Sequence, residues 1–174
     1  CIVLYLVYAL GNMSSIYASG YGYSKKLCED ITSWFLNKYY PRHKIAVEIE
    51  HKGLKREGVY GYCDVIGKNY KPRHFLIELQ AGMSREQYSK ILFHELTHLS
   101  QWVEGSLTFK HGKMCYCQEP VENYDYVNQP HEIEARESES VLYDLYLSEK
   151  EGVPVEEPEQ GWCNRLCGGA MITK

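Results

Sequence analysis

His94-Glu95-Leu96-Thr97-His98 sets two imidazoles four residues apart, with a carboxylate beside the first. On an α-helix, residues i and i+4 lie one above the other, so both rings can reach a single metal ion. Glu95 would then stand at the ion's open position, where a carboxylate can take a proton from water and pass it to a leaving amine. Zinc lowers the pKa of the water it binds to about 7 and polarises a carbonyl. The chemistry these residue types allow is metal-assisted hydrolysis of an amide, with zinc as cofactor and a peptide or protein as the partner in the site.

A catalytic zinc takes three protein ligands and keeps one position open. Two sequence positions compete for the third place. His111 follows His98 by 13 residues, in Lys110-His111-Gly112, and Glu132 follows it by 34, in Pro130-His131-Glu132-Ile133-Glu134-Ala135. A carboxylate on a second helix packed across the first holds its position better than a loop residue does, which favours Glu132 and leaves His111 as the alternative. Glu132, Ala135 and Glu139 would share one helix face, and the small Ala135 would let the two helices approach closely. Glu134 would point elsewhere, and His131 reads as a surface histidine at a helix start. Either of them completes the set only if both leading candidates fail.

The elements must deliver this geometry. Ser84 can cap a helix, Gln87 three residues later completes a capping box, and Tyr88, Ile91, Leu92, Leu96, Leu99 and Val103 form an apolar stripe that ends near Gly105. The bland alternative is an exposed helix face with two ordinary histidines, and this cap and stripe weigh against it. A first helix is expected over 24–40, stopped by Pro41. Strands are expected over 44–50, 59–66 and 73–79, from the alternation of residues such as Ile45, Val47 and Ile49 or Phe75, Ile77 and Leu79. Residues 105–127 read as irregular. A last helix runs from Pro130 to about Lys150. Strands grouped before the central helix give an α+β fold. It comprises an N-terminal helix, a small three-stranded mainly antiparallel sheet, the helix carrying HExxH and a second, C-terminal helix. Residues 13–150 would form the single catalytic domain, followed by an irregular tail over 151–174.

The segment His94–Gly112 resembles the SprT-like branch of the zincin metallopeptidases, which share a Trp four residues after the second motif histidine (here Trp102) and a His-Gly pair (here His111-Gly112). Residues 130–139 resemble the Glu-zincin pattern instead, a helical Glu followed by a small residue, which would make Glu132 the ligand. The combination is similar to small metallopeptidase-like proteins encoded by tailed bacteriophages. The resemblance implies a zincin fold and metallopeptidase activity. It also implies that Arg73–Leu79 or its neighbour is an edge strand pairing with substrate backbone. Two departures stand out: Arg136 occupies the place of an Asp that would orient a motif histidine, and the C-terminal zinc ribbon of the SprT-like branch is absent. Tyr124, Tyr126 and a non-ligating His111 are candidates to stabilise an oxyanion.

Composition bounds the rest. The chain has 174 residues, enough for one domain, and a net charge of −4, which gives no strong nucleic-acid signal although a small basic patch is compatible with it. The apolar stretch over 1–12 is too short to span a bilayer and reads as an upstream extension, with Met13 as a native start. As part of a signal segment it would instead imply secretion. The seven cysteines (Cys1, Cys28, Cys63, Cys115, Cys117, Cys163 and Cys167) form no paired CxxC and read mostly as reduced thiols of an intracellular protein. A disulfide between the 115/117 and 163/167 clusters is the lesser alternative. Three functions compete: an active zinc peptidase, a SprT-like protease acting on DNA-bound proteins, and a catalytically silent zincin-fold interaction protein that keeps its metal.

Overall fold

The structure, a computed structural model, describes residues 14–152. The expectations for residues 1–12, and for the tail from 153 onward, lie outside it. Its main sheet has four strands, β1 (Ser15–Gly20), β2 (Ala46–Lys52), β3 (Gly61–Val65) and β4 (His74–Gln80), in the order β1-β2-β4-β3. β1 and β4 flank β2 in parallel, and β3 runs antiparallel to β4. Alternation makes the sheet one-sided. Val47, Ile49 and His51 on β2, with Phe75, Ile77 and Leu79 on β4, are buried, while Glu48, Glu50 and Glu78 face the more open side. Each large apolar side chain buried this way contributes about 1.5–3 kcal/mol.

Three helices complete the molecule: α1 (Lys25–Tyr39), α2 (Arg85–Glu104) and α3 (Pro130–Glu151). α1 lies against β1, α2 against β3 and β4, and α3 along α2. Ile31 and Phe35 of α1 and Leu92 and Leu96 of α2 join the buried strand residues in one apolar core. The Trp34 indole of α1 meets Phe93 of α2 and Tyr146 of α3 edge-on, at centroid distances of 5.7 and 5.4 Å, so one ring touches all three helices. No helix among the described residues is long and apolar enough to cross a membrane.

The α+β class holds, but the sheet differs from expectation. It is mixed and four-stranded, because β1 adds a parallel partner whose short sequence, Ser-Ile-Tyr-Ala-Ser-Gly, alternates weakly. Residues 105–127 are not irregular throughout. They form a second antiparallel sheet of β5 (Leu107–Lys110), β6 (Lys113–Tyr116) and β7 (Glu119–Pro120). His111 (φ 51°) and Gly112 (φ 79°) make the tight β5–β6 turn, where glycine takes the left-handed backbone without a steric cost. The first residue assigned to the tail, Glu151, still belongs to α3. Cys28, Cys63 and Cys115 are free thiols, as the reduced reading has it, but Cys117 is disulfide-bonded.

Candidate metal centre and cleft

The helix that carries the motif is fixed at both ends by its own sequence. The Ser84 side chain accepts from the Gln87 backbone N–H, the Gln87 side chain returns the contact, and Gly105 closes the helix in the left-handed conformation. α3 starts with Pro130 in its first turn, where a missing N–H costs nothing. The two helices close on small groups. Ala135 and Ser138 are fully buried, and the Ser138 hydroxyl lies 2.6 Å from that of Thr97. This approach brings Glu132 over the two motif histidines.

His94, His98 and Glu132 form the one group among the described residues whose donor atoms converge as metal ligands would. His94 Nε2 and His98 Nε2 are 3.1 Å apart. Glu132 Oε2 lies 3.3 Å from His94 Nε2, and Oε1 lies 3.5 Å from His98 Nε2. A tetrahedral zinc with ligands at 2.0–2.1 Å would hold its donors roughly 3.3 Å apart. The two imidazole nitrogens, and each of them with the Glu132 oxygen nearer to it, are spaced close to this, so the residues present fit the ion.

Protons decide whether those nitrogens are available. Gln101, fully buried, donates through Nε2 to the His131 carbonyl (3.0 Å) and to Glu134 Oε2 (2.7 Å). Its amide orientation is thereby set, and its Oε1 accepts from His98 Nδ1 at 2.8 Å. His94 Nδ1 donates to Glu139 Oε1, also at 2.8 Å. With both Nδ1 atoms protonated, the two neutral rings turn their Nε2 lone pairs toward each other, and a proton or a metal ion between them relieves the repulsion. The buried Glu132 Oε2 also lacks a hydrogen bond of its own. Burial opposes charging His94, but the Glu132 and Glu139 carboxylates beside it outweigh that and raise its pKa to about 9. Burial likewise pushes Glu132 up, yet the two histidines overcome it and hold the carboxyl well below the usual range.

Glu95 is 4% exposed and fits against Gly61 of β3, where an added Cβ would stand 2.4 Å from its Oε1. Burial raises its pKa to about 7, against the pull of His98 and His94. Beside it opens a cleft of about 430 Å³. β3 from Gly61 to Val65 forms one wall, the histidines and Glu132 the floor, and Trp102, Leu107, Phe109 and Met114 an apolar end. Trp102 and Phe109 stack there, 5.6 Å between centroids.

The other expected residues fall into place or out of it. His111 is exposed on its turn and outside the donor group. Arg73–Leu79 corresponds to β4, which is paired on both sides, so it has no free edge; its neighbour β3 is the edge strand. His131 is no surface residue but 3% exposed, and burial first, then His98, lowers its pKa to about 4 and keeps it neutral. Glu134 is buried and accepts from Gln101 and from the Tyr116 hydroxyl, 2.7 Å each. Of the oxyanion candidates Tyr124, Tyr126 and His111, only Tyr126 lines the cleft. The sequence reading missed Gln101, Tyr116 and Glu139 as orienting groups. The i+3 spacing of Gln101 from His98 was the one local signal for any of them. No known protein family, curated protein or solved structure matches this chain.

Proposed function

We propose that this chain is a zinc-dependent metallopeptidase of zincin type. The observation that supports it is the convergence of His94 Nε2, His98 Nε2 and the two Glu132 carboxylate oxygens, at separations of 3.1, 3.3 and 3.5 Å, with both imidazole Nδ1 atoms engaged elsewhere. His94, His98 and Glu132 would hold the metal, with Glu139 and Gln101 fixing the two rings. When bound, zinc supplies acidified water and a polarised carbonyl. Glu95 takes the proton from the attacking water and gives it to the departing amine. The β3 edge offers backbone N–H and C=O groups to an extended substrate, as strand addition requires. Tyr126, which lines the cleft, would donate its hydroxyl to the developing oxyanion.

The test combines metal analysis with one conservative substitution. The purified chain should carry about one zinc per molecule and cleave an unstructured protein substrate. Glu95→Gln should keep the metal and lose at least about 100-fold in kcat. A wild-type chain without metal would sink the reading. Metal without cleavage, in wild type and variant alike, would leave the silent interaction protein instead.

A further inference from the structure

β2 and β4 run parallel with Ala46 opposite His74, so the segments that enter them, 41–45 and 66–73, lie side by side at one end of the sheet. The Ala46 N–H donates to the Arg73 carbonyl at 2.8 Å and ties them together. These segments contain Arg42, Lys44, Lys68, Lys71 and Arg73, and neither an Asp nor a Glu. Arg73 is half-buried and the other four are exposed. None of the five makes an ion pair with a described residue, whereas Lys38, Lys52, Lys90 and Lys113 each pair with a glutamate. The cationic loop is also continuous with the cleft. Residues 66–73 join β3 to β4, and Val65 and Asn69 both line the cleft. A chain lying along β3 and continuing past Val65 would run toward the loop that carries Lys68 and Lys71. The β2 entry, with Arg42 and Lys44, lies three strand spacings, roughly 14 Å, from a chain added at the β3 edge, where its charges act at long range through water.

We infer that this end of the sheet docks an acidic stretch of the polypeptide whose scissile bond sits in the cleft; the inference rests on the peptidase reading above and names its substrate class. A short acidic segment suits the patch better than nucleic acid. The patch is short, a long phosphate backbone would run past it onto a sheet face that carries Asp64 and the paired Glu48, Glu50 and Glu78, and the whole chain is at −4. Exposed charges act through water and are screened within a Debye length, about 10 Å at 0.1 M salt, so the preference is salt-sensitive.

The experiment uses the full zinc-loaded chain and three fluorogenic peptides. One is neutral, and the other two carry three glutamates before or after the same scissile bond. One acidic peptide should show a KM about tenfold below the neutral one with kcat little changed, and most of that gain should vanish at about 0.5 M salt. Lys68→Glu with Lys71→Glu should erase the gain and leave turnover of the neutral peptide intact, and the milder pair Lys68→Ala with Lys71→Ala should erase about half of it. Equal KM for all three peptides, or a gain that survives the charge reversal, overturns the docking site. Binding to the Glu95→Gln chain, read by fluorescence anisotropy, separates this from failure of the peptidase reading. Preference for the acidic peptide there, with no turnover by wild type, removes the peptidase and keeps the docking surface. A single-stranded oligonucleotide that displaces the acidic peptide at lower concentration than an unlabelled copy of it overturns the proposal in favour of nucleic acid.

Discussion

Gly61 meets Glu95 so closely that one methyl group would decide the position of the carboxylate. Its Cβ would have to occupy space 2.4 Å from Glu95 Oε1, so Gly61→Ala should push the carboxylate off the site without touching a metal ligand. The expected outcome is a fall in kcat of about 100-fold with zinc affinity within about threefold of wild type, read by steady-state kinetics and a zinc-competition titration. At this scale the sequence was legible where chemistry is written as local spacing. His94, Glu95 and His98 declare themselves through one helical turn, and Glu132 through a helix that must face them. The groups that orient the rings did not declare themselves. Arg136 holds the place where an acidic partner was sought. That partner is Glu139, three residues further along α3, and only the α2–α3 packing brings it to His94 Nδ1.

The elements were readable in proportion to their length and periodicity. α2 was marked at both ends by Ser84, Gln87 and Gly105, and α1, α3, β2 and β4 fell within a few residues of expectation. β1 and the β5–β7 sheet were not legible. A parallel strand is held by a partner some thirty residues away (Ser15 opposite Ala46), and four-residue strands around a His-Gly turn leave too short a pattern to detect. Contact between elements also carries an acid dependence. Glu149 of α3 accepts from Lys38 Nζ at 2.8 Å and from the Trp34 indole, both on α1, and the Lys38 and Trp34 hydrogen bonds hold its carboxyl below the usual carboxylate range. A depressed pKa stabilises the fold above the ordinary carboxylate value of about 4.5 and loses that contribution as pH falls through the folded value. The pair is partly solvent-exposed and so screened by water, and Glu149→Gln should cost under about 1 kcal/mol at pH 7 and nothing at pH 2, in urea titrations at both values.

For the molecule as a whole, a metal ion at the proposed centre would clamp two helices. His94 and His98 belong to α2 and Glu132 to α3, so an ion bound only by the folded chain stabilises their packing by mass action. At a hundred times its dissociation constant that is about 2.7 kcal/mol, which for a chain of this size raises Tm by roughly 5–10 °C. Thermal scans with zinc and with a chelator should show this gap for wild type and Glu95→Gln alike, and should show little of it for Glu132→Ala. The one-sided sheet, with its helices on the covered face and the β3 edge left free beside Glu95, makes the cleft part of the fold's border and not an added pocket.

Trp102 ends the cleft one helical turn beyond His98, stacked on Phe109. An indole so placed is a built-in optical gauge. Cobalt substituted for zinc absorbs visible light and sits within energy-transfer range of that ring, so loading the apo chain with cobalt should dim tryptophan emission where zinc does not. Trp102→Phe should shrink the difference, because it removes the ring that lines the same cleft as the ligands.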